Sequence, residues 1–411
     1  MTGPQPYLPW GIRAVNAVGG LVNRIASVPS LEPDALIEHA RKATGLSDLG
    51  PETYRPGLEA LMDSLRGEAR LNMIGRVFAR QSYEGRLKDR LRLIDWRKRH
   101  PKIGEQRIER PIFVLGLPRT GTTILYGALA ASPSLRSPVT WEMQFPIPPA
   151  DPGTLDSDPR IEQMHKQYAD LRRIVPDAEK VHAMGALLPQ ECIAMHTCEF
   201  KSLEPVVTFP IPSYFEWIKE HGIRSAYAFQ REFLQHMQSG YARKHWLLKS
   251  PAHLMWLDQL LEEFPDALIV QTHRDPAKVI GSVSSLYATF DNAVTEHPDP
   301  YAVGRQQFEQ WRWGLDRATQ VRESMPDERV IDVQFSDIVR DPIGVVRSIH
   351  EKFGLDFDAE TQTRTQAFLD DNARDKHGLH SYSLEDFGLD RAKVDAAFAD
   401  YRAQYDVPQE D

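Results

Sequence analysis

The sequence predicts an α/β fold of three layers, α/β/α, built on a central parallel sheet with an N-terminal helical part added. Three observations predict it. Short apolar runs recur at residues 110–116, 245–250, 267–273 and 328–335. Each is followed by a stretch with helical spacing, and strands separated by helices join in parallel through right-handed crossovers. The first run also ends in a glycine-bearing turn, Gly116-Leu-Pro-Arg-Thr-Gly121-Thr-Thr, that leads into an apolar helix. A strand-to-helix turn of that kind aims backbone N–H groups past the strand end.

The elements follow in order. Residues 31–100 carry apolar side chains at helical spacing, with Pro33 at a helix start. The polar stretch 96–110, with Pro101 and Gly104, sets a boundary between an N-terminal helical region, 1–105, and a core, 106–400. RPIFVLG is the first strand, and a helix runs from about Thr122 to Ala131. Residues 140–240 are rich in proline and aromatics, with helical pieces around 159–173, 186–200 and 213–240. So long an excursion between two core strands suits a substrate lid. HWLLKS and ALIVQTH are the next strands; after the latter, Asp275 is the expected N-cap and Pro276 the first helical residue. ERVIDVQF is the fourth, followed by the helix PIGVVRSIHEKFGL.

Bulk properties exclude several classes. The chain has 411 residues, 41% hydrophobic and 26% charged, an ordinary globular mix. A net charge of -9 argues against a general nucleic-acid binder. Two cysteines make no disulfide framework, which suits a reducing cytoplasm. No stretch approaches the roughly 20 apolar residues of a transmembrane helix. Residues 10–28 have an amphipathic pattern; packing on their own domain is the preferred reading, and a weak membrane-surface contact the other.

The turn at 116–123 has the form of a phosphate-binding loop with Thr122 in the place of the nucleotide triphosphatase lysine. ATP or GTP hydrolysis loses its main charge there. Anion binding remains: two glycines, the helix N-terminus, the hydroxyls of Thr120, Thr122 and Thr123, and the permanent positive fork of Arg119. A second cradle follows the strand ALIVQTH, where Arg274 stands eight residues before Ser282 on the next helix. Two anion pockets at one sheet edge suit a nucleotide phosphorylated at both ends of its ribose.

This pair resembles the donor site of the sulfotransferases that use 3′-phosphoadenosine 5′-phosphosulfate (PAPS). PRTGTT is similar to the family's Pro-[Lys/Arg]-Ser-Gly-Thr-[Thr/Ser] loop, with Thr120 for serine, and the match spans roughly 110–390. Among branches it most resembles the bacterial one. The resemblance implies a P-loop-like sulfotransferase fold and an enzyme that forms a sulfate ester and 3′-phosphoadenosine 5′-phosphate, with no metal required. It assigns the 5′-phosphosulfate to Arg119, Thr120, Gly121, Thr122 and Thr123, and the 3′-phosphate to Arg274 and Ser282. IDVQFSDIVRDP is similar to the family's adenine-contacting segment, with Phe335 at the place of its tyrosine. DKHGLHSYSLEDFGLD resembles the closing segment of the bacterial branch, so that Lys376, His380 and Tyr382 close over the nucleotide.

Sulfuryl transfer to an alcohol needs a base. Glu142, 23 residues after Arg119 and flanked by Trp141 and Met143, is the preferred candidate, since apolar surroundings raise a carboxyl toward neutrality. In related branches a glutamate at about this place is the base. His253, four residues past Lys249, is the other candidate, and Lys249 is assigned to the leaving or transferring oxygens. QECIAMHTCEF holds Cys192, His196 and Cys198, but residues six apart on a helix face away from each other, so a buried helix is preferred to a zinc site. The aromatic lid composition points to a hydrophobic small-molecule or lipid-like hydroxyl acceptor. The alternatives are a nucleotide or small-molecule kinase of related fold, which would need the missing lysine, and a non-catalytic nucleotide-binding protein.

Overall fold

The computed structural model describes residues 29–174, 185–372 and 383–410. The 10–28 segment and Lys376, His380 and Tyr382 lie outside them. Five parallel strands form one sheet in the order β2-β3-β1-β4-β5. They are β1 (Ile112–Gly116), β2 (Leu135–Arg136), β3 (His245–Lys249), β4 (Leu268–His273) and β5 (Val330–Gln334). The three central strands β3, β1 and β4 are buried at every position, as continuous apolar runs covered on both faces should be. β2 is new relative to the sequence reading: two residues are too few to show a period. β1 and β4 pair in register from Ile112↔Leu268 to Gly116↔Thr272.

Alternation along the strands makes the layers. Phe113, Leu115, Leu248 and Ile269 join one apolar cluster, whereas Ile112, Val114, Leu247 and Val270 join another. Helices Thr122–Ala130 and Pro342–Phe353 cover the second face, through Leu125, Leu129, Val346 and Ile349. The cluster on the first face takes in Pro276–Val294 and Pro300–Arg322 and extends to the helices before β1, Pro33–Thr44, Arg55–Gly67 and Met73–Arg99, the last of which packs on Pro276–Val294. Burying one such Leu or Phe contributes roughly 1.5–3 kcal/mol, several times what helix propensity decides per residue. Packing therefore sets these helices in place.

The 140–240 excursion is helical in pieces. Pro212–His221 and Arg224–Gly240 are separate helices, and 186–200 is not one helix. Ile193–His196 passes into a single turn, Thr197–Glu199, which ends at Phe200 with φ of 52°. Asp275 caps Pro276–Val294 as expected, its side chain accepting from the Ala277 N–H at 3.1 Å. No helix among the described residues is long and apolar enough to cross a membrane.

One glycine is dictated by this packing. Gly116 has φ of 147°, and a Cβ there would sit 2.5 Å from the Thr272 carbonyl oxygen and 2.3 Å from its Oγ1. The strand β4 cannot withdraw without breaking the ladder. Gly116→Ala is expected to cost about 2–4 kcal/mol of folding stability, read as a lower denaturation midpoint. A midpoint equal to wild type would show that β4 yields at Thr272.

Candidate active site

Each cradle predicted from sequence starts at the carboxyl end of a central strand, β1 or β4. After β1, Arg119 turns through φ of 65°, a left-handed conformation uncommon for a side-chain-bearing residue. Gly121 follows at 84° and opens the helix Thr122–Ala130, which has no side-chain cap. The first-turn N–H groups therefore offer themselves to an anion. A Cβ on Gly121 would press to 3.1 Å of the Phe335 ring, so Phe335 borders the loop directly.

The hydroxyls divide. Thr120 is fully buried; its Oγ1 donates to the Leu117 carbonyl at 2.6 Å and meets Thr272 Oγ1 at 2.5 Å. It fastens the loop to β4. Thr122 is buried, and Thr123 is exposed beside the Lys249 ammonium, with Nζ to Oγ1 3.4 Å.

The two cradles are in contact. Arg119 Nε donates to Ser282 Oγ at 3.1 Å, and Arg274 Nη1 donates to the Arg119 carbonyl at 2.9 Å. The Arg274 guanidinium stacks 4.0 Å over the Phe335 ring centre. Its other edge forks onto the Glu410 carboxylate, with Nε and Nη2 each 2.8 Å from an oxygen.

The two candidate bases sit elsewhere. Glu142 is 3% exposed, with Oε1 on Arg136 Nη2 at 2.9 Å and Oε2 accepting from the Val139 N–H. Burial raises its carboxyl above the usual range, against the pull of Arg136. Arg136 in turn donates to the Met237 carbonyl and lies over the Tyr241 and Trp246 rings. Glu142 thus anchors a buried ion pair, and neither carboxylate oxygen touches the loop. His253 is fully buried on the turn Pro251–Leu254, its Nδ1 2.9 Å from the Tyr227 hydroxyl. Burial, with His196 alongside, pushes it well below the ordinary imidazole range. It packs edge-on to Phe113 inside the core.

A different carboxylate stands beside the loop. Glu191 Oε1 lies 2.5 Å from Lys249 Nζ, the same ammonium that reaches Thr123. Its backbone is fixed on both sides: the Tyr126 hydroxyl donates to the Gln190 carbonyl, and the Cys192 N–H donates to the Lys249 carbonyl at 2.9 Å. Glu191 also lines a cavity of about 270 Å³, walled by Pro118, Ile193, Val207, Val283, Leu286 and Phe290. The sequence contained Glu191 within QECIAMHTCEF, but no local signal there distinguishes it. Only the return of the 140–240 excursion to the end of β3 brings it to Lys249. Cys192 and Cys198 are buried free thiols, and no group of three or more His, Cys, Asp or Glu suited to a metal occurs among the described residues.

The cavity thus carries a carboxylate at its wall, paired with a buried lysine that reaches Thr123 at the start of the helix after the loop, and such a loop suits phosphate-type anions. Comparison with known proteins agrees. The model of the sulfotransferase family matches residues 111–359. The crystal structure of sulfotransferase STF9 from Mycobacterium avium superposes with a TM-score of 0.87 at 31% identity, over 93% of this chain and 99% of that one. Sulfotransferase STF1 from Mycobacterium tuberculosis H37Rv gives 0.81 at 31% identity, over 89% and 98%. A curated relative, the omega-hydroxy-beta-dihydromenaquinone-9 sulfotransferase Stf3 of Mycobacterium bovis, is 25% identical over 320 residues, 72% of this chain and 74% of its own. The anion loop after β1, the shared architecture and the family match together identify this chain as a member of the sulfotransferase family and an enzyme of that kind.

Proposed function

We propose that the enzyme transfers the sulfuryl group of PAPS to the hydroxyl of an apolar alcohol, with Glu191 as the base. The observation that carries the reading is the Glu191–Lys249–Thr123 chain, which links the wall of the apolar cavity to the anion loop. In this reading the loop N–H groups, Arg119 and Thr123 take the 5′-phosphosulfate, and Arg274 with Ser282 the 3′-phosphate. Phe335 borders the adenine. The acceptor oxygen bonds to sulfur as the bond from sulfur to the bridging phosphate oxygen breaks. Glu191 takes the hydroxyl proton, and 3′-phosphoadenosine 5′-phosphate leaves. Lys249 and Arg119 stabilise charge that builds on the bridging and sulfuryl oxygens, where preorganised donors do most. Holding both reactants in line does much of the remainder.

The residue types fit such a donor. Arginine forks and uncapped helix N–H groups suit phosphate and sulfate oxygens. For the acceptor, the cavity is walled mainly by apolar side chains, and the Mycobacterium bovis relative is named for a hydroxylated quinone. An apolar, lipid-like alcohol is the class that both favour.

Two measurements test this. 3′-Phosphoadenosine 5′-phosphate should raise the melting temperature by several degrees, since saturation at a hundred times Kd adds about 2.7 kcal/mol. AMP and ATP should do much less. A flat response to the bisphosphate, or an equal one to AMP, would remove the donor assignment. In turnover assays, Glu191→Gln should lower kcat by roughly 10²–10⁴ while the bisphosphate shift persists. Glu142→Gln should keep kcat within about tenfold but lose about 3–5 kcal/mol of stability, because it leaves Arg136 buried without its counter-ion. The reverse pattern would return the base to Glu142.

A further inference from the structure

We propose that Glu410 is an internal ligand of the donor site: its carboxylate holds Arg274 where the nucleotide's 3′-phosphate would, and the two exchange on each turnover. This rests on the PAPS reading above. The Arg274 guanidinium has its donors committed on both edges. Nη1 serves the Arg119 carbonyl at 2.9 Å, while Nε and Nη2 meet the two Glu410 oxygens at 2.8 Å each. A parallel two-bond fork is the same geometry by which arginine grips a phosphate. A 3′-phosphate on that edge must displace the carboxylate.

The arrangement is built rather than incidental. The Glu410 N–H donates to Asp275 Oδ2 at 2.9 Å, and its carbonyl accepts from Arg391 Nη2 at 3.2 Å. Arg391 pairs with Asp275 at 2.8 Å and with Asp395 at 3.0 Å. Val407, three residues earlier, is buried, and its N–H donates to the Arg402 carbonyl at 3.0 Å. The backbone is therefore moored at Asp275, the residue next to Arg274, and opening the fork is a movement of the Glu410 side chain. A cavity of about 270 Å³ lies against this contact, lined by Arg274, Phe335, Ser336, Pro408 and Glu410.

Charge decides the direction of exchange. Near neutral pH a phosphate monoester carries close to two negative charges and three acceptor oxygens, against one charge and two oxygens for the carboxylate. The nucleotide wins while the loop after β1 also grips its 5′ end. Once the sulfuryl group has gone and that grip loosens, a carboxylate already tethered beside Arg274 competes as an intramolecular ligand. Glu410 thus favours release of the bisphosphate product.

The test is direct binding, by calorimetry, to the full chain. Glu410→Gln keeps the shape and removes the charge. It should tighten 3′-phosphoadenosine 5′-phosphate by about two- to fivefold, the range set by one partly exposed charge pair. Adenosine 5′-phosphosulfate, which lacks the 3′-phosphate, should bind wild type and variant alike. Glu410→Ala should behave as Glu410→Gln does, and serves if the glutamine variant fails to fold. Unchanged or weaker bisphosphate binding in the variants would overturn the proposal, because Glu410 would then merely hold Arg274 in position. Equal tightening of both nucleotides would overturn it too, as a general charge effect. Failure of the wild type to prefer the bisphosphate over AMP is a separate result: it removes the PAPS reading, and this proposal with it.

Discussion

The pairing of β1 with β4, in register at Gly116 and Thr272, is the constraint on which the chemical end of this molecule depends. Residues adjacent in a parallel ladder leave the sheet side by side. The loop after Gly116 and the turn after His273 therefore emerge as neighbours, and Arg119 reaches Ser282 while Arg274 reaches the Arg119 carbonyl. The absence of a Cβ at Gly116 permits that closeness, and the Thr120–Thr272 contact secures it. Two segments whose arginines stand 155 residues apart in sequence are thereby brought into contact.

The same geometry separates two kinds of buried charge. Arg136–Glu142 is buried, with the Tyr241 and Trp246 rings over the guanidinium, and its carboxylate is spent on Arg136 and the Val139 N–H. Lys249–Glu191 keeps one partner, Glu191, at 18% side-chain exposure on a cavity wall. Both pairs are arginine or lysine with glutamate, at 2.9 and 2.5 Å. What they face distinguishes them, and that is a property of the fold rather than of either residue.

This explains what could be read from the sequence. Strands β1, β3, β4 and β5 were legible because their apolar runs are short, bounded and followed by helical spacing. The anion loop was legible because its glycines, threonines and arginine are contiguous. Arg274 follows β4 directly and Ser282 lies in the helix that starts two residues later, so their spacing survives intact. The base proposed above was not legible in this way. Glu142 has apolar sequence neighbours, but its counter-ion, Arg136, sits six residues earlier at no regular helical spacing. Glu191 reaches Lys249 only through tertiary contacts 58 residues apart, and Glu410 reaches Arg274 across 136. The interruption at Phe200 was hidden too, since a left-handed phenylalanine is enforced by its surroundings and not by its own preference.

The size of the apolar cavity carries its own consequence. At about 270 Å³ it is near the lower end of what a drug-sized molecule occupies. An acceptor with a long hydrocarbon chain can lodge only its hydroxylated end there, and the remainder must trail outside. Such an enzyme would discriminate among alcohols by the few atoms nearest the oxygen and stay tolerant of chain length beyond them.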